Sequence, residues 1–89
     1  MNGLTVKLHK DFEKQLAKLP KKQRDRAIDA IDLFLDEPME PSLRNHALKG
    51  QWLGYRSISA GGDFRLHFKM IDQNTVLFVA LGSHSQLYK

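Results

Sequence analysis

The side chains best suited to acid–base work in this sequence are three histidines of its second half, His46, His67 and His84, and one carboxylate, Asp63. An imidazole titrates near neutrality, so it can accept or release a proton at ordinary pH. A carboxylate beside it fixes its tautomer and favours its protonated form. Arg56 and Arg65 offer forked donors that match phosphate oxygens. Tyr88 offers a ring on which a base can stack, and Trp52 and Tyr55 offer the same or serve equally as core. Together these groups suit cleavage of RNA by its own 2′-hydroxyl. That reaction needs a proton removed from the hydroxyl, a stabilised pentacoordinate phosphate and a protonated leaving oxygen. Histidine and arginine suffice for it without a metal, and DNA, lacking the 2′-hydroxyl, is not a substrate. The competing reading of the three histidines and Asp63 as a zinc or iron site has no metal-ligand spacing behind it.

These residues must be positioned by a small fold. Leu4 to Leu8 alternates like a short strand. Phe12, Leu16 and Leu19 then recur at helical spacing, and Pro20 stops that helix because it lacks an amide proton. A second helix is predicted from about Lys21, with Ala27, Ile28, Ile31, Phe34 and Leu35 on its apolar side, and Pro38 and Pro41 closing it. The second half reads as three strands, Leu53–Ala60, Phe64–Ile71 and Thr75–Leu81. The outcome is an α+β domain spanning 1–89: an N-terminal strand and helical hairpin on a mostly antiparallel, roughly four-stranded sheet.

Two turn assumptions place the polar residues. With Gly61-Gly62 as a two-residue loop, Ala60 faces Asp63, Ile58 faces Arg65 and Arg56 faces His67. Phe64, Leu66, Phe68 and Met70 then point to the helices, and Asp63, Arg65, His67 and Lys69 point to the open face. With Gln73-Asn74 as the next loop, Leu66 faces Leu81, Phe68 faces Val79, Met70 faces Leu77, and Asp63 lies opposite His84. In this register Arg56, Arg65 and His67 share the open face with His84, and Ser59 turns to the core. His46, following Arg44-Asn45 in a loop, is the residue whose ordinary explanation is a structural hydrogen bond. His9 reads as surface.

Charge and composition narrow the partners. The chain has 89 residues and no cysteine, so disulfides, thiolate metal sites and a cysteine nucleophile are excluded. Its net charge of +4 comes entirely from residues 42–89, since residues 1–41 balance. That asymmetry predicts an anionic partner for the second half, with nucleic acid first. No apolar run is long enough to span a membrane, and Met1 to Leu4 begins no signal peptide, so a cytoplasmic protein is expected.

The run His46-Ala47-Leu48-Lys49-Gly50-Gln51-Trp52-Leu53-Gly54-Tyr55-Arg56 resembles the H-x-L-x-G-x-W-x-G-Y-R element of the YafQ-like branch of the RelE/ParE toxin superfamily. Asp63-Phe64 before an apolar strand, and Gly82-Ser83-His84-Ser85-Gln86-Leu87-Tyr88, resemble that branch's other motifs. The likeness runs over about residues 43–88. It implies the toxin of a type II toxin–antitoxin pair, acting as a metal-independent mRNA interferase in the ribosomal A site. The implied partners are mRNA and the ribosome with its 16S rRNA, and a cognate antitoxin whose complex with the toxin binds operator DNA; no cofactor is implied. Carried over by position, His84 is the principal catalytic acid, assisted by His46 and Asp63. Arg56, Arg65, His67, Lys49, Tyr88 and Phe64 become substrate and phosphate contacts. Two departures stand out: Ser59 lies where a further histidine is common, and Phe64 replaces the usual tryptophan. The general base is thereby left among His46, Asp63 and His67. The alternative function is that of ParE-like relatives, which poison DNA gyrase by protein contact without cutting RNA.

Overall fold

The computed structural model describes residues 3–88; Lys89, counted above in the positive half, lies outside them. Strand β1 (Thr5–Leu8) leads into helices α1 (Lys10–Lys18) and α2 (Lys21–Asp36). There follow a 3₁₀ turn at Pro41–Leu43, the two-residue strand β2 (His46–Ala47) and a second 3₁₀ turn at Gly50–Trp52. Strands β3 (Arg56–Ser59), β4 (Phe64–Asp72) and β5 (Thr75–Ser83) then lead to the short helix α3 (His84–Leu87). The sheet has five strands in the order β1-β5-β4-β3-β2, all antiparallel except the parallel pair β1–β5. The expected α+β class holds. The extra strand is β2, too short for any periodicity to betray it, and β3 is shorter than the predicted Leu53–Ala60 because Leu53 and Gly54 belong to the turn before it.

The helices begin and end for local reasons. His9 is not idle surface: its side chain caps α1 by accepting from the Asp11 amide at 3.0 Å. Pro20 sits at the N-cap of α2, so the hairpin bend falls where its missing amide proton leaves no broken helical bond. The helices bury Phe12, Ala27, Ala30, Ile31 and Phe34 against one face of the sheet. Ala30 takes the place expected of Ile28, which is 43% exposed. The centre of the core is aromatic. Phe34 meets Phe68 at 4.9 Å and Phe78 at 5.8 Å between ring centroids, and Phe78 meets Phe12 at 5.7 Å. These separations lie in the favourable range for tilted ring pairs.

Both strand registers differ from expectation in an instructive way. The β3–β4 loop has three residues, Gly61, Gly62 and Asp63, closed by Ala60 donating its amide to the Phe64 carbonyl at 2.8 Å. Gly61 at φ 106° and Gly62 at φ 54° take up the positive dihedrals that this loop demands. One extra loop residue moves the pairing by one, so Arg56 faces Phe68, Ser57 faces His67 and Ser59 faces Arg65. Between β4 and β5 the expected register holds where Leu66 meets Leu81, and Asp63 lies opposite His84, whose amide donates to the Asp63 carbonyl at 3.2 Å. A bulge at Val79 then shifts the pairing, and Phe68 faces Phe78 instead of Val79, and Met70 faces Val76 instead of Leu77. The bulge keeps Phe78 on the helix side, where it is fully buried. Burial of a phenylalanine outweighs one irregular step in the ladder.

Candidate functional site

The face of the sheet away from the helices carries most of the candidate groups. Directly paired antiparallel residues share a face, so His46–Ser57–His67–Ala80 forms one row across β2, β3, β4 and β5. Ser59–Arg65–Gly82 forms a second row on the same face, and Asp63 and His84 stand at its end. Ser59 thus lies beside Arg65 rather than in the core. Arg56 moves the other way: it pairs with Phe68 on the helix face, and its Nε donates to the Asn45 Oδ1 at 2.8 Å. The expected place for Arg56 among the open-face arginines is therefore corrected, and the three-residue loop is the reason. Phe64 is also corrected as a surface contact, because it is 8% exposed and belongs to the core on the helix side.

His84 opens α3, whose start is a capping box. The Ser83 side chain accepts from the Gln86 amide, and the Gln86 side chain accepts from the Ser83 amide at 2.8 Å. One helical turn brings Tyr88 back over His84, and the two rings stack at 4.5 Å with a 28° interplanar angle. The turn before β3 holds α3 down: Trp52 Nε1 and Gln51 Nε2 both donate to the Leu87 carbonyl, at 3.0 and 3.1 Å. The predicted proximity of Tyr88 and His84 holds. The helix itself was not foreseen, although Ser83-His84-Ser85-Gln86 carries the signature of a capping box.

His46 is exposed on β2, and its Nδ1 lies 2.6 Å from the Arg44 carbonyl. A carbonyl can only accept, so the proton of a neutral His46 sits on Nδ1 and the lone pair on Nε2. Arg44 itself adopts φ 50°, which turns its carbonyl to that bond. Arg65 uses Nη1 to hold the loop, donating to the Gly62 carbonyl at 2.9 Å and to the Ser59 hydroxyl at 3.3 Å. Asp63 is exposed, and its link to His84 runs through the backbone. Lys49 is exposed at the N-cap of the second 3₁₀ turn.

His67 departs most from expectation. It is fully buried, roofed by the Trp52 ring at 4.6 Å and the Tyr88 ring at 5.6 Å. Among the described residues neither of its nitrogens has a hydrogen-bond partner. Burial, and then the nearby His46, Arg65 and His84, lower its pKa from 6.5 to about 4. Its side chain lies on the open face, as strand alternation predicts, but alternation says nothing about a turn and a helix folding back over it. His46, Arg65 and His84 are gathered around this neutral ring. Among the described residues no group of three His, Cys, Asp or Glu side chains converges as a metal site.

Residues 4–89 match the profile of the bacterial toxin of type II toxin–antitoxin systems, YafQ. The chain belongs to the YafQ toxin family. The YafQ homologue of Haemophilus influenzae is 32% identical over 92 residues, covering 93% of this chain and 90% of that protein. The fold is that of Escherichia coli YafQ, with a TM-score of 0.78 at 20% identity, over 97% of this chain and 99% of that one. The YafQ chain of the Escherichia coli DinJ–YafQ toxin–antitoxin complex matches with a TM-score of 0.77 at 20% identity, over 98% and 99% of the two chains. The resemblance drawn from the three sequence motifs therefore holds, and extends over the N-terminal half. This YafQ-family chain is a toxin of a type II toxin–antitoxin system.

Proposed function

We propose that this toxin is a metal-independent endoribonuclease that cuts mRNA, in the ribosomal A site, by attack of the 2′-hydroxyl on the adjacent phosphate. The observation that carries the reading is the gathering of His46, Arg65 and His84 around one buried ring on an open, basic face. His84, exposed and stacked on Tyr88, protonates the leaving 5′-oxygen. His46 presents Nε2 as the base toward the 2′-hydroxyl, with its tautomer set by the Arg44 carbonyl. Arg65 keeps donors beyond Nη1 for the phosphate, and Lys49 adds positive charge from the turn before β3. Tyr88 positions the nucleotide, and Asp63 orders the loop that meets His84.

The same reading takes 1–89 as one toxin domain working in the cytoplasm with mRNA and 16S rRNA as its nucleic-acid contacts. Among the described residues no helix is long and apolar enough to cross a membrane. Its protein partner is a cognate antitoxin, as DinJ is for the YafQ of Escherichia coli, and the proposed pair binds operator DNA.

Brief expression of the chain in cells, followed by primer extension on an abundant transcript, tests this. Discrete cuts inside translated frames are expected, with His84→Ala reducing them by about 10²–10⁴-fold while antitoxin binding is kept. Growth arrest with intact transcripts overturns the proposal and directs attention to a protein target such as gyrase.

A further inference from the structure

A chain of ring contacts crosses the open face. Tyr55 meets Trp52 at 5.4 Å and 88°, Trp52 meets His67 at 4.6 Å and 83°, His67 meets Tyr88 at 5.6 Å and 63°, and Tyr88 meets His84 at 4.5 Å and 28°. Tyr55, Trp52, Tyr88 and His84 come from segments that lie over the sheet, before β3 and after β5. His67 alone is part of the sheet's long central strand, and it is the middle ring of the row. It lies outside the phenylalanine core, on the opposite face of β4 from Phe68. Its two nitrogens and the hydroxyl of Ser57, paired with it across the strands, are buried without partners among the described residues. An unpaired buried nitrogen contributes nothing by hydrogen bonding and carries a desolvation cost. What the ring does contribute is a rigid flat wall between Trp52 and Tyr88.

We infer that His67 is a positioning residue of the site: its flat uncharged ring props Tyr88 in the place where His84 can stack on it. The catalytic part of this inference rests on the RNA-cleaving reading above; the geometric part does not. Trp52 is already tied to the far end of α3 through the Leu87 carbonyl. With the wall removed, Tyr88 settles into the vacated space, and His84 loses its stacking partner without any change to its own backbone bond to Asp63. The required property is flatness and bulk, so a phenylalanine is sufficient and a side chain of similar bulk without a flat ring is not.

Three variants of the full chain, His67→Phe, His67→Leu and His67→Ala, test the inference by two readouts. The first is the NMR shift of the His84 ring protons, which the Tyr88 ring current displaces in the stacked pair. The second is cleavage of an mRNA in a purified translation system, with kcat and KM measured separately. The expected result is a His84 shift relaxed toward free imidazole in His67→Leu and His67→Ala, with kcat down by about 10²-fold and KM within about twofold. His67→Phe restores the shift and kcat. If His67→Ala does not fold, the comparison of Leu with Phe decides. Native shifts and kcat in His67→Leu overturn the inference, as does a His67→Phe protein as impaired as His67→Leu, which would show that a ring nitrogen is needed. A wild-type chain that cuts no RNA while the His84 shift still follows the series removes the enzymatic reading and leaves the prop in place.

Discussion

Each of the site's side chains is in a state that its neighbours dictate, and His67 shows this most sharply. Its folded pKa of about 4 lies below the ordinary value of 6.5, so the unfolded chain takes up a proton first as the pH falls. The sign is therefore fixed: above about pH 6.5 the group adds nothing, and between 6.5 and 4 the fold loses about 3 kcal/mol. Urea unfolding at a series of pH values is expected to show that slope, and His67→Phe to remove it. The two arginines divide along the same lines. Arg56→Ala breaks the bond to Asn45 on the helix face, lowering stability by about 1–2 kcal/mol with cleavage per folded molecule kept. Arg65→Ala is expected to depress kcat, because Arg65 stands on the reactive face. Thermal melts beside single-turnover cleavage separate the two. The residue types were legible in the sequence, as were the nearness of Tyr88 to His84 and the place of Asp63 opposite His84; that the two rings stack and that Asp63 meets His84 through its backbone was not. The placement of Arg56 was not, because it depended on whether a glycine loop closes with two residues or three.

At the scale of elements, α3 is the piece on which the site depends most and the shortest of the three helices. Four residues do not make a stable helix without help. The help is the capping box, the tether from Trp52 and Gln51, and Gly82 before it. Gly82 has φ 154°, and a Cβ there would stand 2.9 Å from Gln86 Oε1, the atom that accepts from Ser83. Ser83→Ala is expected to cost about 1 kcal/mol, and both it and Gly82→Ala to free Tyr88 from His84. Hydrogen exchange of the Gln86 amide, bonded to Ser83 Oγ, should rise well before that of β4. Helices α1 and α2 were legible because periodicity and Pro20 are local signals. The β5 bulge was not, since it arises from competition between a regular ladder and the burial of Phe78, which no local pattern records.

For the molecule as a whole, the sheet keeps its aromatic core and its candidate site on opposite faces. The aromatic core of Phe12, Phe34, Phe68 and Phe78 lies under the helices, while His46, Arg65 and His84 lie on the other side. Phe34→Ala is expected to lower stability by about 3–5 kcal/mol, read by urea denaturation, with kcat per folded molecule unchanged at low temperature. The fold class followed from the order of elements, and the family from motif spacing; what neither could give was the depth at which each side chain lies.

The parallel pairing of β1 with β5 has a kinetic meaning. Thr5 hydrogen-bonds into the sheet beside Thr75, so nearly everything between them must be synthesised before the first strand finds its neighbour. Such distant pairing makes folding slow relative to the helices, which form from local contacts. A nascent chain emerging from a ribosome thus carries its helical hairpin early and its reactive face late. Under the RNA-cleaving reading proposed above, the machine that makes this protein would be shielded, for the duration of synthesis, by the order in which the sheet can be assembled.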